Sequence, residues 1–223
     1  MTMQRYWFLD FDDTLASGVT TWVWRHALPR LIREHNLPME PSRFQAAFLL
    51  AQERANRETD FQPIINDLFD SQGWSRTLQK PLLQDIEKNY EATLFEDTQP
   101  FLKQLHAAGR RVFIISNNPV APQLAQKLGI DHFIEQFFTP RLCPGTFPKP
   151  HPSLWQHILS LELGNDRSNS VMVGDDPWSD AEFAESCGID YWIIDRDDRF
   201  QDVQALSMRN RIRSLLDIAP LNV

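Results

Sequence analysis

Tyr6-Trp7-Phe8-Leu9 is a short apolar run rich in β-formers, and it gives way at once to the acidic, polar Asp10-Phe11-Asp12-Asp13-Thr14. That contrast predicts a buried strand followed by a loop. From about Gly18 the apolar positions take helical spacing instead. Val23, Ala27, Leu28, Leu31 and Ile32 share one face of a predicted helix over 22–36, which Pro29 is expected to kink. Ser42 is placed to N-cap a second helix, whose Phe44, Ala47, Phe48 and Ala51 line one face. A shorter helix over 64–69 and a longer one over 82–94 follow, with no strand pattern between them.

After Thr98 the period alternates. A helix over 101–108 stops at Gly109, and Arg111 to Ser116 reads as a buried strand. A helix over 120–128 stops at Gly129, Phe137-Phe138-Thr139 is a weak strand, and a helix over 154–163 stops at Gly164. Ser170 to Val173 is a fourth strand, running into Gly174-Asp175-Asp176. Ser179-Asp180-Ala181-Glu182 has the form of a capping box, opening a helix that Gly188 closes, and Tyr191 to Ile194 is a fifth strand. Strands that alternate with helices need crossover connections, so the sheet is parallel and covered on both faces. The predicted fold is α/β: a doubly wound, Rossmann-like parallel sheet of about five strands, built from residues 1–16 and 99–223. Residues 17–98 form an inserted all-helical domain.

Composition narrows the function. Of 223 residues 42% are hydrophobic and 23% charged, which permits a sizeable core and excludes the disordered classes. A net charge of −8 repels phosphate backbones, so no nucleic-acid partner is expected, although a small anion can still enter a locally positive cleft. Cys143 and Cys187 allow at most one bridge and lack a metal-ligand spacing, as in a reduced, cytoplasmic protein. No apolar stretch approaches the roughly 20 residues of a membrane helix, and the residues before Tyr6 have no signal-peptide pattern.

In open parallel sheets ligands bind at the carboxyl ends of the strands. The chain delivers Asp10 and Asp12 there from strand one, and Ser116, Asn117 and Asn118 from strand two. Lys149 follows strand three, and Asp175, Asp176 and Asp180 follow strand four. Clustered carboxylates repel unless a cation intervenes, and an all-oxygen set suits Mg2+. Lys149 and the hydroxyl and backbone donors around Ser116 would complete a site for a dianion. His151 lacks a second ligand, and Trp22 and Trp24 are assigned to the core of the helical segment before a substrate wall.

These residues match a family. Asp10-Phe11-Asp12-Asp13-Thr14 resembles the DxDxT motif of the haloacid dehalogenase superfamily. Ser116 is similar to its second motif, Lys149 to its third, and Gly174-Asp175-Asp176-Pro177-Trp178-Ser179-Asp180 to its fourth. The four occur in the family's order. The helical insertion resembles the cap that one branch of the family places between its first two motifs.

The resemblance implies a magnesium-dependent phosphatase acting on a small phosphorylated metabolite. Asp10 would be the nucleophile, forming an aspartyl-phosphate, and Asp12 the general acid and base. Ser116, Asn117 and Lys149 would hold the phosphoryl group. Asp10, Asp12 through its backbone carbonyl, and Asp175 would bind the metal, with Asp180 acting through water or Lys149. A lid over the site would exclude bulky substrates, and the insert's Arg25, Arg43, Arg54 and Arg57 are candidates for contacting a polar leaving group. An acid at position 12 disfavours dehalogenation. A phosphotransferase or sugar-phosphate mutase would share the intermediate. A receiver-like signalling module would need its acidic pair before the phosphorylated Asp, contrary to the order here, and a phosphate-binding protein without catalysis is disfavoured by the intact set.

Overall fold

The computed structural model describes residues 6–55, 62–161, 163, 167–198, 200 and 211–218. It divides into two compact units, Met1–Ser17 with Thr93–Val223, and Gly18–Ala92. The helical unit ends at Ala92, six residues before the end at 98 that the sequence pattern predicts. The physical reason is local pairing: Leu94 bridges antiparallel to Ala16, and Ser17 donates its N–H to the Thr93 carbonyl at 2.9 Å.

The first unit carries one six-stranded sheet: β1 (Tyr6–Leu9), β2 (Arg111–Ile115), β3 (Gln136–Phe138), β4 (Ser170–Gly174), β5 (Asp190–Ile194) and β6 (Arg211–Ile212). Its order is β3-β2-β1-β4-β5-β6, and every pair is parallel. This is the doubly wound order, in which the chain reverses direction across the sheet between β1 and β4. The sequence reading found five of these strands; β6, only two residues long, escaped it.

The period of two sorts the strand side chains between two cores. Trp7, Leu9, Val112, Ile114, Val171 and Val173 enter one cluster, with Phe101, Leu102 and Leu105. Phe8, Phe113, Ile115 and Met172 enter the other, with Leu154, Trp155, Ile158 and Phe183. Both faces are therefore covered, which is why β1 and β4 read as unbroken apolar runs.

In the second unit, α1 (Val19–Trp22), a π-helical turn (Val23–Ala27) and α2 (Leu28–Glu34) form one continuous rod. The expected disturbance from Pro29 takes the form of that widened turn: the N–H of Leu28 reaches back five residues to Val23. Next come α3 (Pro41–Ala55), α4 (Gln62–Gln72) and α5 (Gln79–Asn89). Glu40, and not Ser42, caps α3; its carboxylate accepts from the N–H of Ser42 at 3.1 Å and of Arg43 at 2.8 Å. The helix expected over 82–94 stops at Asn89, because Thr93 and Leu94 are extended against Ser17 and Ala16.

Trp24, Leu28, Leu31, Leu68, Phe69, Trp74 and Leu82 make a third core, with Trp22 packed against it. Trp24 thus belongs to the interior of its unit, and Trp22 is half-buried at the margin of that core. The side chain of Phe48 and residue Arg57 lie outside the described residues.

The first unit resumes with α6 (Thr98–Ala107), then α7 (Ala121–Lys127), α8 (Ser153–Ser160) and α9 (Glu182–Cys187). Gly109, Gly129 and Gly188 take positive φ just beyond α6, α7 and α9, as predicted for helix stops; Gly164 lies outside the described residues. No helix among the described residues is long and apolar enough to cross a membrane. Cys143 and Cys187 are buried free thiols.

Candidate active site at the carboxyl edge of the sheet

The register fixes where the acids emerge. Leu9 is level with Ile114 on one side and Val173 on the other, so Asp10 leaves the sheet beside Ile115 and Gly174. Its N–H donates to the Val173 carbonyl at 2.8 Å. Ser116 and Asp175 follow one residue later on the flanking strands, at the reversal point of the sheet. Beyond Asp10 the chain turns tightly. Asp13 takes φ 56°, and Leu15 and Ala16 both donate to the Phe11 carbonyl.

Lys149 crosses the site from the loop after β3. Its buried ammonium donates to Asp10 Oδ1 at 2.7 Å and also to Asp180 Oδ1. Asn117 holds that lysine's backbone on both sides: its Oδ1 accepts from the Lys149 N–H at 2.7 Å and its Nδ2 donates to the Lys149 carbonyl at 3.1 Å. Expected among the substrate ligands, Asn117 has its side chain engaged as a positioning group for Lys149. Ser116, 1% exposed, accepts from the N–H of Asn118 at 3.1 Å.

Carboxylate oxygens of Asp10, Asp175 and Asp180 lie within 4.8 Å of one another, all three residues buried. Burial pushes Asp10 up to about 8 against the pull of Lys149, and the nearby Asp180 and Asp12 push the same way. Burial also raises Asp12, to about 7, while a hydrogen bond from Asn118 pulls it down. The Lys149 ammonium is held charged: its desolvation is outweighed by the two carboxylates it touches. The cluster is therefore short of positive charge. A hard divalent ion fits this donor set, because all three groups are oxygen ligands. Asp180 is engaged through both oxygens, since its Oδ2 also accepts from the Asp176 N–H at 3.1 Å.

Asp180 reaches Lys149 because its backbone is unusual. The expected capping box at Ser179 does not form. Asp176 caps instead, accepting from the N–H groups of Trp178 at 2.9 Å and Ser179 at 3.3 Å, and the first turn, Pro177–Ala181, is π-helical. Asp180 then folds back over Gly174, where a Cβ would sit 2.1 Å from the Asp180 carboxyl carbon. Gly174→Ala is expected to displace Asp180 and to cost about 1–3 kcal/mol of stability, readable by urea unfolding, with a loss of turnover beside it.

At the outer end of the same edge, Asp97 accepts from Arg196, Ser214 and the Leu215 N–H. Burial works to raise its carboxyl, yet these partners together hold it below the ordinary carboxylate range. A folded value below the unfolded one means a stabilisation present above about pH 4. It is lost as pH falls through the folded value. Asp97→Asn is expected to flatten that acid limb in pH-dependent thermal unfolding.

Four separated segments thus bring Asp10, Ser116, Lys149 and Asp175 to one edge, and residues 7–188 match the family model for haloacid dehalogenase-like hydrolases. The chain belongs to that family. The HAD-like fold also recurs in solved structures. The HAD-hydrolase YfnB from Bacillus subtilis, bound to magnesium, aligns with a TM-score of 0.69 at 17% identity, covering 97% of each chain. A HAD phosphatase from Thermococcus onnurineus aligns at 0.57 and 20% identity, over 96% of this chain and 95% of that one. The 2-haloacid dehalogenase from Pseudomonas syringae pv. Tomato DC3000 aligns at 0.56 and 18% identity, over 96% and 95%. No curated protein matches the chain. These likenesses establish a HAD fold and leave the choice between phosphate and halide chemistry to the residues.

Proposed function

We propose that this HAD-like hydrolase is a magnesium-dependent phosphatase acting on a small phosphomonoester through an aspartyl-phosphate. The reading is carried by Asp12. Its Oδ1 is shielded from solvent without a protein hydrogen-bond partner, two residues beyond Asp10, and burial raises the carboxyl to about 7. A halide departs without a proton. An alkoxide does not, and a carboxyl shielded from solvent and near neutral pKa is the group that supplies one.

Asp10 attacks phosphorus, the ester P–O bond breaks, and the leaving oxygen takes the Asp12 proton. Asp12, now a carboxylate, removes a proton from water, which attacks phosphorus and releases inorganic phosphate from Asp10. Lys149 pulls the Asp10 carboxyl back towards its ionised form and, with Ser116, holds the phosphoryl oxygens. Asp10, Asp175 and the Asp12 carbonyl would hold magnesium, which supplies neutralising charge to those oxygens when bound.

Asp12→Asn tests the assignment. In the first turnover, release of the alcohol from an alkyl phosphate is expected to slow by about 10²–10⁴-fold, and release of nitrophenolate by much less, since nitrophenolate leaves unprotonated; the later hydrolysis of the aspartyl-phosphate slows alike for both. An equal slowing of that first release on both substrates, or wild-type turnover of 2-haloacids in place of phosphates, would overturn the reading.

A further inference from the structure

Arg196, two residues past β5, and Asp97, 99 residues away in sequence, belong to none of the four motifs. Nη1 of Arg196 donates to Asp97 Oδ2 at 2.7 Å and Nη2 to Oδ1 at 2.9 Å, a two-pronged ion pair with side chains 19% and 9% exposed. The same Nη2 donates to the Thr14 carbonyl at 3.0 Å, and the guanidinium lies 4.1 Å above the Phe95 ring. The next carbonyl, Leu15, accepts from Thr98 Oγ1 at 2.6 Å and from the Phe95 N–H at 3.2 Å.

Two consecutive carbonyls of the turn are therefore held by groups outside it. The same turn bears Asp12 and the Thr14 hydroxyl, which donates to Asp10 Oδ2 at 3.5 Å. Asp97 has a second set of partners, Ser214 Oγ at 2.7 Å and the Leu215 N–H at 2.8 Å, which tie the segment after β6 to the same carboxylate.

We infer that Arg196, locked by Asp97, is a positioning residue for the reaction: it fixes the Thr14 peptide and through it the placing of Asp12 against Asp10. The inference rests on the phosphatase reading for its kinetic consequence. Guanidinium geometry suits the task, because one planar fork satisfies the carboxylate while a spare N–H reaches the carbonyl. A shift of about 1 Å in a reacting group costs on the order of 100-fold, so loosening this grip acts on kcat. Substrate binding, supplied by Ser116 and Lys149, stays nearly constant.

The experiment compares Arg196→Gln, Arg196→Lys and Ser214→Ala with wild type by steady-state hydrolysis of an alkyl phosphate, thermal unfolding, and amide exchange of the peptide containing Leu15 and Ala16. Arg196→Gln is expected to lower kcat about 10–100-fold with KM little changed, and to speed exchange at Leu15 and Ala16. Arg196→Lys recovers much of both. Ser214→Ala removes one of the two ties to the segment after β6 and lowers the melting temperature while keeping kcat. A folded Arg196→Gln with wild-type kcat and exchange would overturn the inference, as would a kcat loss in Ser214→Ala equal to that of Arg196→Gln. Absence of phosphomonoester turnover in the wild type would instead remove the phosphatase reading. Exchange at Leu15 and Ala16 would then decide the clamp by itself, faster exchange in Arg196→Gln supporting it and unchanged exchange refuting it.

Discussion

Asp10→Asn is expected to abolish turnover, by about 10⁴-fold or more, while the protein stays folded. The amide cannot attack phosphorus, yet it fills the same volume and can still accept a hydrogen bond from Lys149. The substitution also removes an ionisable group from a buried cluster whose members raise one another's pKa. Magnesium-free Asp10→Asn should therefore melt no lower than wild type. Steady-state kinetics and calorimetry in chelator check the two halves. A variant that is inactive because it is unfolded would not support the assignment, and a folded one with turnover close to wild type would point to another nucleophile.

Lys149→Met is expected to carry the largest stability cost. The ammonium is 1% exposed and lies between two buried carboxylates. Removing one partner of a buried ionic cluster leaves the others uncompensated, which costs about 3–5 kcal/mol. Methionine has nearly the same shape, so the loss reports charge rather than a cavity. Part of it is expected to return when magnesium is added, because a cation beside Asp10 and Asp175 supplies some of the missing positive charge. Urea unfolding with chelator and with excess magnesium measures both effects. Turnover should be lost under either condition, since Lys149 has the further task of holding the phosphoryl group.

The sheet was readable because a doubly buried parallel strand has a plain signature: Tyr6–Leu9, Val112–Ile115 and Val171–Val173 are uninterrupted apolar runs that end in acids or a serine. Strand β6 lacks that signature. Arg211 and Ile212 are too few to show a period, and only pairing with Ile193 and Ile194 makes them a strand. Thr93 and Leu94 misled for a related reason: their apolar spacing continues the helical pattern, but the backbone is claimed by Ala16 and Ser17.

The four motifs placed Asp10, Ser116, Lys149 and Asp175 correctly at one edge, since strand order alone determines that. The Asp180 region was half legible. Ser179 and Glu182 have capping-box spacing, and only the close approach to Gly174 shows that Asp180 turns inward and Asp176 takes the cap. Nothing local marks Arg196 or Asp97. Each reads as an ordinary surface charge until the fold joins them, because an ion pair between residues so distant carries no spacing rule.

Phosphorylation of Asp10 within this cluster can be trapped directly. Wild-type protein turning over a phosphomonoester in magnesium is quenched in acid and reduced with borohydride, which converts an acyl phosphate to the alcohol. Peptide mass analysis then locates the product. Conversion of Asp10 to homoserine is expected, with no other acid changed and none changed in Asp10→Asn. Reduction at a different residue, or none in protein that is releasing phosphate, would contradict phosphorylation at Asp10.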